Sequence, residues 1–134
     1  MGILNCTPDS FYSESRMRAR GDALATAREM VEDGADILDI GGESTRPASD
    51  PVAPGEELER VIPVIEGIRQ RSDIPISIDT RKAPVAERAL DAGADIINDV
   101  SALRDDADMP ALAAERRCPV VIMHMRGTPK TMQK

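Results

Sequence analysis

A six-residue pattern occurs twice in the chain, as Gly34-Ala35-Asp36-Ile37-Leu38-Asp39 and as Gly93-Ala94-Asp95-Ile96-Ile97-Asn98. In each copy the glycine follows a run with helical periodicity, where a C-cap glycine belongs, and an apolar strand pattern then ends in Asp or Asn. One supersecondary unit is therefore reused. A chain assembled from such units folds as alternating strands and helices, with a parallel sheet, right-handed crossovers and helices packed outside the strands.

The remaining segments extend this alternation. Gly2 to Asn5 reads as a first strand, followed by a polar loop from Thr7 to about Gly21. Leu24, Ala27, Met30 and Val31 recur at helical spacing within Asp22 to Asp33, and Ala35 to Ile40 is a second strand. Glu56 to Gln70 reads as a second helix with Leu58, Val61, Ile62, Ile65 and Ile68 on one stripe, and Pro63 either kinks it or delays its start. Ile74 to Asp79 is a third strand. Pro84 falls in the first turn of a third helix that buries Val85, Ala86, Ala89 and Leu90. Ala94 to Asn98 is a fourth strand, Asp105 to Arg117 a fourth helix with Met109, Leu112 and Ala113 inward, and Pro119 to Met123 a fifth strand.

Each predicted strand is apolar along its body and ends in groups able to bind a ligand: Asn5, Asp39, Asp79 with Thr80, Asn98 with Asp99, and Met123 with His124. In a parallel sheet these carboxyl ends share one face, where barrel active sites sit, although open doubly wound sheets also bind ligands there. Neither G-x-G-x-x-G nor a Walker A loop occurs. After the second strand, Asp39-Ile40-Gly41-Gly42-Glu43-Ser44-Thr45-Arg46-Pro47 brings glycines, hydroxyls and a guanidinium together, a composition suited to phosphate oxygens. Structural readings stand beside these. Asp79 or Thr80 could cap the third helix, Asp39 and Asp99 could accept from loop amides, and His124 could be a buried, hydrogen-bonded histidine. Phe11, adjacent to Tyr12 and with it the whole aromatic content, either tucks under a loop or covers a ligand.

A formal net charge of −7 argues against a nucleic-acid or anionic-membrane surface, while leaving room for local phosphate binding at Arg46. Cys6, Cys118 and His124 have no zinc-site spacing, and two thiols are too few for a disulfide framework. No apolar run has membrane-spanning length and no signal-peptide pattern opens the chain, so the cytoplasm is the expected location.

Several separated stretches resemble dihydropteroate synthases in order and spacing: Ile3-Leu4-Asn5-Cys6-Thr7-Pro8-Asp9-Ser10-Phe11, Asp39 to Pro47, Ser77-Ile78-Asp79-Thr80, Ile97-Asn98-Asp99-Val100 and Met123-His124-Met125-Arg126-Gly127. The resemblance spans essentially the whole chain, and its first two motifs are the most specific. It implies a TIM-type (β/α)8 barrel that joins 6-hydroxymethyl-7,8-dihydropterin pyrophosphate to p-aminobenzoate in folate biosynthesis, forming 7,8-dihydropteroate and pyrophosphate.

By the same resemblance, Asp79 and Asn98 bind the pterin edge, with Val100 and Met123 lining its apolar part. Thr45, Arg46, Pro47 and Phe11 meet pyrophosphate and p-aminobenzoate, and Asn5 approaches Mg²⁺. Asp79 and Arg46 are the expected catalytic residues. Small-molecule substrates, sulfonamide sensitivity and the homodimers common among full-length members are implied too. Cys6 stands where the family commonly has an aliphatic residue, and Tyr12-Ser13-Glu14-Ser15 departs from its usual glycine-bearing continuation. A complete barrel has eight strands over about 250 residues, whereas this chain supplies about five strands and four helices. The expectation is thus a partial barrel, residues 1–134, missing its carboxyl-terminal strands and inactive alone, with open edges at strands one and five. A non-catalytic pterin- or phosphate-binding module, or a remnant barrel fragment, is the alternative. A methyltetrahydrofolate-binding barrel would explain Asp79 and Asn98 but leave Thr45 and Arg46 idle.

Overall fold

Period-two alternation divides each strand between two environments. In the computed structural model, which describes residues 1–6, 13–43, 52–101 and 103–122, the elements are β1 (Gly2–Asn5), α1 (Ser13–Glu32), β2 (Leu38–Gly41), α2 (Pro54–Arg69), β3 (Ile76–Asp79), α3 (Ala83–Ala92), β4 (Ile96–Asp99), α4 (Met109–Arg116) and β5 (Val120–Ile122). The strands form one parallel sheet in the order β1-β2-β3-β4-β5. Sequential neighbours with a helix in each crossover are the βα-barrel pattern, as expected; a doubly wound sheet would reverse its strand order. β1 and β5 are the sheet edges, so the barrel is open.

Leu4, Leu38, Ile40, Ile76, Ile78 and Ile97 turn toward the helices and meet Val61, Val64, Ile65, Ile68, Val85, Ala86, Ala89 and Met109 in a buried aliphatic core. Each such Val, Leu, Ile or Met contributes about 1.5–3 kcal/mol on burial. Phe11 and Tyr12 lie outside the described residues. Gly34 and Gly93, the glycines of the repeated unit, have φ of 97° and 129°, a region closed to most side chains.

Several boundaries differ from expectation for local reasons. α1 begins at Ser13 rather than Asp22, running through Gly21. One exposed helical glycine costs only about 1 kcal/mol, and its arginine, methionine and alanine neighbours favour helix. α2 starts at Pro54, in the first turn where a missing N–H costs little, and continues past Pro63. Its buried stripe is Glu57, Val61, Val64, Ile65 and Ile68, so Leu58 and Ile62 are only partly covered. An acid thus occupies a core-facing position that an apolar count assigns to the neighbouring residue. α4 starts at Met109 because Asp106 organises the preceding turn, with Oδ1 accepting from the Asp108 N–H at 2.9 Å.

Candidate functional site

The opposite face of the sheet is polar. Two register rows cross it near the strand carboxyl ends. The lower row holds Ile3, Asp39, Ser77 and Ile96; the upper holds Asn5, Gly41, Asp79, Asn98 and Val121. Asn5, Asp79 and Asn98, far apart in sequence, therefore stand in one line, with Gly41 as the position lacking a side chain. Ile3 and Val121 are 61% and 43% exposed, which identifies this as the open side.

Asp39 anchors the face. Its Oδ1 accepts from Ser77 Oγ at 2.5 Å and from Asn98 Nδ2 at 3.1 Å, and all three residues are buried. Asn98 lies on β4 and Asp39 on β2, so their bond passes over β3. Alternate strands are about 10 Å apart in a flat sheet, and two short side chains bridge that span only where the face is concave. Among the described residues, the partners of Asp39 are the side chains of Ser77 and Asn98. Asp99 does accept a loop amide: its Oδ1 takes the Ser101 N–H at 2.8 Å and the Ser101 hydroxyl at 2.7 Å.

Asp79 is not a helix cap. Lys82 occupies that position, Thr80 Oγ1 accepts the Lys82 N–H at 3.2 Å, and the Ala83 N–H is taken by Asp106 Oδ2 at 2.7 Å. The Asp79 carboxyl is instead free to face the concavity. Burial, and then the negative charges of Asp39, Glu57 and Asp99, push its pKa up to about 7 against the opposing pull of Arg81. Near neutrality it is poised between acid and carboxylate, so a ligand donating two N–H groups can shift it to the ionised form.

Beside this row lies an ionic cluster that the sequence did not announce. Glu43, just past β2, accepts from Arg81 Nη2 at 2.7 Å, Lys82 Nζ at 2.9 Å and the Val52 N–H at 2.7 Å. Burial alone would raise the Glu43 pKa, but these donors outweigh it and hold the carboxyl below its ordinary range. Lys82 Nζ also reaches Glu57 Oε1 at 2.7 Å, and Arg81 reaches Asp105 at 3.1 Å. Burial would lower the Lys82 pKa; its bonds to Glu57 and Glu43 reverse that and raise it. Glu57 Oε2 and Asp99 Oδ2 are buried without a partner among the described residues. Adjacent Arg81-Lys82 after a strand-end acid was the available signal; the burial of Glu57 had none.

Of the expected site residues, the structure brings together Asn5, Asp79 and Asn98, and places Val100 directly after β4, buried at 5% exposure. Phe11, Thr45, Arg46, Pro47, Met123 and His124 lie outside the described residues. Cys6 follows Asn5 and is buried, its thiol pushed up to about 11 by burial. Cys6 and Cys118 are both free thiols. Among the described residues no three His, Cys, Asp or Glu side chains are grouped to hold a metal ion, and no helix is long and apolar enough to cross a membrane.

A parallel βα sheet of barrel order, with carboxyl, amide and hydroxyl groups converging at its strand ends, places the chain among the βα-barrel proteins. The pterin binding enzyme family matches residues 1–134, and the chain belongs to that family. It is 51% identical to the dihydropteroate synthase of Synechocystis over 133 residues, covering 99% of this chain and 46% of the relative. A Clostridium difficile dihydropteroate synthase structure, determined in the presence of pteroic acid, aligns with a TM-score of 0.87 and 51% identity, over 94% of this chain and 48% of that one. The Yersinia pestis dihydropteroate synthase, in complex with a sulfonamide drug, aligns with a TM-score of 0.88 and 47% identity, over 99% and 48%. The chain thus spans about half the length of these three proteins.

Proposed function

We propose that the concave face carries the pterin subsite of a dihydropteroate synthase, the enzyme that joins 6-hydroxymethyl-7,8-dihydropterin pyrophosphate to p-aminobenzoate. The observation that carries this reading is the register row in which Asp79 and Asn98 stand side by side above buried Asp39. A pterin presents an amino group and a ring N–H on one edge, which a carboxylate accepts together, while an amide beside it both donates and accepts. Val100 and Met123 line the apolar part of the pocket. Thr45, Arg46, Pro47 and Phe11 meet the pyrophosphate and the arylamine, with Arg46 opposing the charge of the departing pyrophosphate.

Asn5 is exposed at the end of β1 and offers a hard amide oxygen, which suits a Mg²⁺ held chiefly by water and substrate phosphate. When bound, the ion would neutralise charge on the leaving pyrophosphate. Asp79 then has one task, to favour the electron-poor pterin as the carbon–oxygen bond to pyrophosphate breaks and the arylamine nitrogen attacks the methylene. The protein supplies electrostatic placement and no nucleophile. A cytoplasmic location, sulfonamide sensitivity and a homodimeric full-length form belong to this reading.

Calorimetric titration of the chain with the pterin pyrophosphate and Mg²⁺, alongside an arylamine-dependent turnover assay, tests it. Saturable binding that weakens in Asp79→Asn more for the pterin than for p-aminobenzoate is expected. Equal loss for both ligands, or no pterin binding, refutes the assignment. Turnover is read on the chain joined to the carboxyl-terminal half of a dihydropteroate synthase, since the 134 residues cover 46% of such a relative; binding without turnover in that joined form identifies a non-catalytic pterin-binding module instead.

A further inference from the structure

Asn98 has one side-chain amide and two neighbours with which to use it. Its Nδ2 donates to Asp39 Oδ1 across the intervening strand β3. A carboxylate only accepts, so this contact fixes which end of the amide points down into the face and which points out. Nothing among the described residues hydrogen-bonds the Asn98 carbonyl oxygen. Asp39 is in turn held from beneath: it is 4% exposed, and the Ser77 hydroxyl, 0% exposed, donates to the same oxygen. Gly41, two residues on along β2, adds no side chain over this pair.

We infer that Asp39 is a positioning residue of the site, holding the Asn98 amide so that its carbonyl oxygen is the acceptor offered to a donor edge of the ligand beside Asp79. The inference rests on the pterin reading for the identity of that ligand, but the Asp39–Asn98 link is a property of the unliganded chain. It also gives the two strand-end groups a common sign of recognition. Asp79 and the Asn98 carbonyl oxygen both accept, so the ligand they select is a heterocycle that turns N–H donors toward both, and the second Asn98 N–H remains for an acceptor beside them. An analogue with an acceptor at either place meets an unpaired lone pair and is rejected. An Asn98 amide turned the other way would present a donor and invert that preference.

The test reads the amide directly, on the 134-residue chain labelled with ¹⁵N. One Asn98 Nδ2 proton is expected to exchange with solvent at least tenfold more slowly than the other. In Asp39→Ala, which removes the acceptor without adding bulk, that protection is expected to vanish. The Kd for 6-hydroxymethylpterin is expected to rise about tenfold, and the Asp79 carboxyl to titrate at lower pH, because a neighbouring negative charge has gone. Ser77→Ala should leave Asn98 protected. Unprotected Asn98 protons in the unsubstituted chain overturn the inference even if the variant fails to fold, and so does protection that persists in a folded Asp39→Ala. A protected Asn98 in a chain that binds no pterin supports the Asp39 link and refutes the pterin reading, so the two fail separately.

Discussion

Gly41 and Asp79 face each other in register across β2 and β3, and a Cβ added to Gly41 would lie 3.3 Å from the Asp79 Cβ and 3.5 Å from its Oδ2. The missing side chain is what keeps the space over the carboxyl open. Gly41→Ala is expected to fold, since the contact is tight without being prohibitive, at a stability cost of about 1 kcal/mol. The same methyl group crowds Asp79, so pterin affinity should fall at least tenfold. Thermal unfolding and calorimetry on one sample check both numbers, and retained affinity would show that the ligand does not approach Asp79 from this side.

The Asp79 carboxyl makes stability pH-dependent. Its folded pKa of about 7 lies above the ordinary 3.8, so its contribution is fully present below about pH 3.8 and is lost as pH rises through 7. Asp79→Asn, which cannot ionise, should therefore be more stable than the parent chain at pH 8 and nearly equal to it at pH 4. A tenfold change in the proton-binding constant between the folded and unfolded chain is worth about 1.4 kcal/mol, so a gain of a few kcal/mol at most is expected in denaturant melts at pH 8. A constant difference between the two proteins across that range would contradict the assignment.

The Glu43–Lys82–Glu57 cluster gives an opposite prediction. Removing the ammonium in Lys82→Met leaves two buried carboxylates facing each other, one of which already has an unpartnered oxygen. Breaking one partner of a buried pair costs about 3–5 kcal/mol. The double variant Lys82→Met with Glu57→Leu removes the stranded charge along with its partner and should recover part of that loss. Urea unfolding of the pair of variants distinguishes this from a simple loss of packing, which would add rather than cancel.

At the other end of the sheet, Arg69 ties the segment after α2 to the start of β4. Its guanidinium donates to the carbonyls of Gly93 at 2.8 Å and Ile74 at 2.6 Å and to Asp95 Oδ2 at 2.5 Å. Hydrogen bonds to a charged group are worth about 1.5–3 kcal/mol each when sheltered, but Asp95 is about half exposed and its ion pair contributes little, so their loss together in Arg69→Leu should lower stability by about 3 kcal/mol. Because these contacts lie at the strand starts, pterin affinity at 25 °C should be unchanged. A parallel loss of affinity would mean that the two ends of the sheet are mechanically coupled.

The strand and helix order, the closing glycines at 34 and 93, and the polar strand ends were all legible because each is local: period two, period 3.6 and left-handed backbone are written in neighbouring residues. The start of α1 was not, because Gly21 and a polar sequence signal a loop unless the helix is seen to continue. Nor was the face of α2, where Glu57 is inward although its own chemistry favours water. Its burial depends on Lys82, which arrives from the next βα unit. The same holds for the cap of α3, which Asp106 supplies from beyond β4.

For the site, the chain alone determined which residues stand at strand carboxyl ends and that Asp79 and Asn98 belong to one family pattern. Only the tertiary structure decided that Asp39 reaches over β3 to Asn98, that Gly41 leaves a gap beside Asp79, and that Asp79 carries a raised pKa. Those depend on register and curvature, quantities set by how strands pair and bend in space. The physical reason is one of range: hydrogen-bond direction and the electrostatic cost of a buried charge are fixed by atoms a few ångströms apart that the sequence separates by tens of residues.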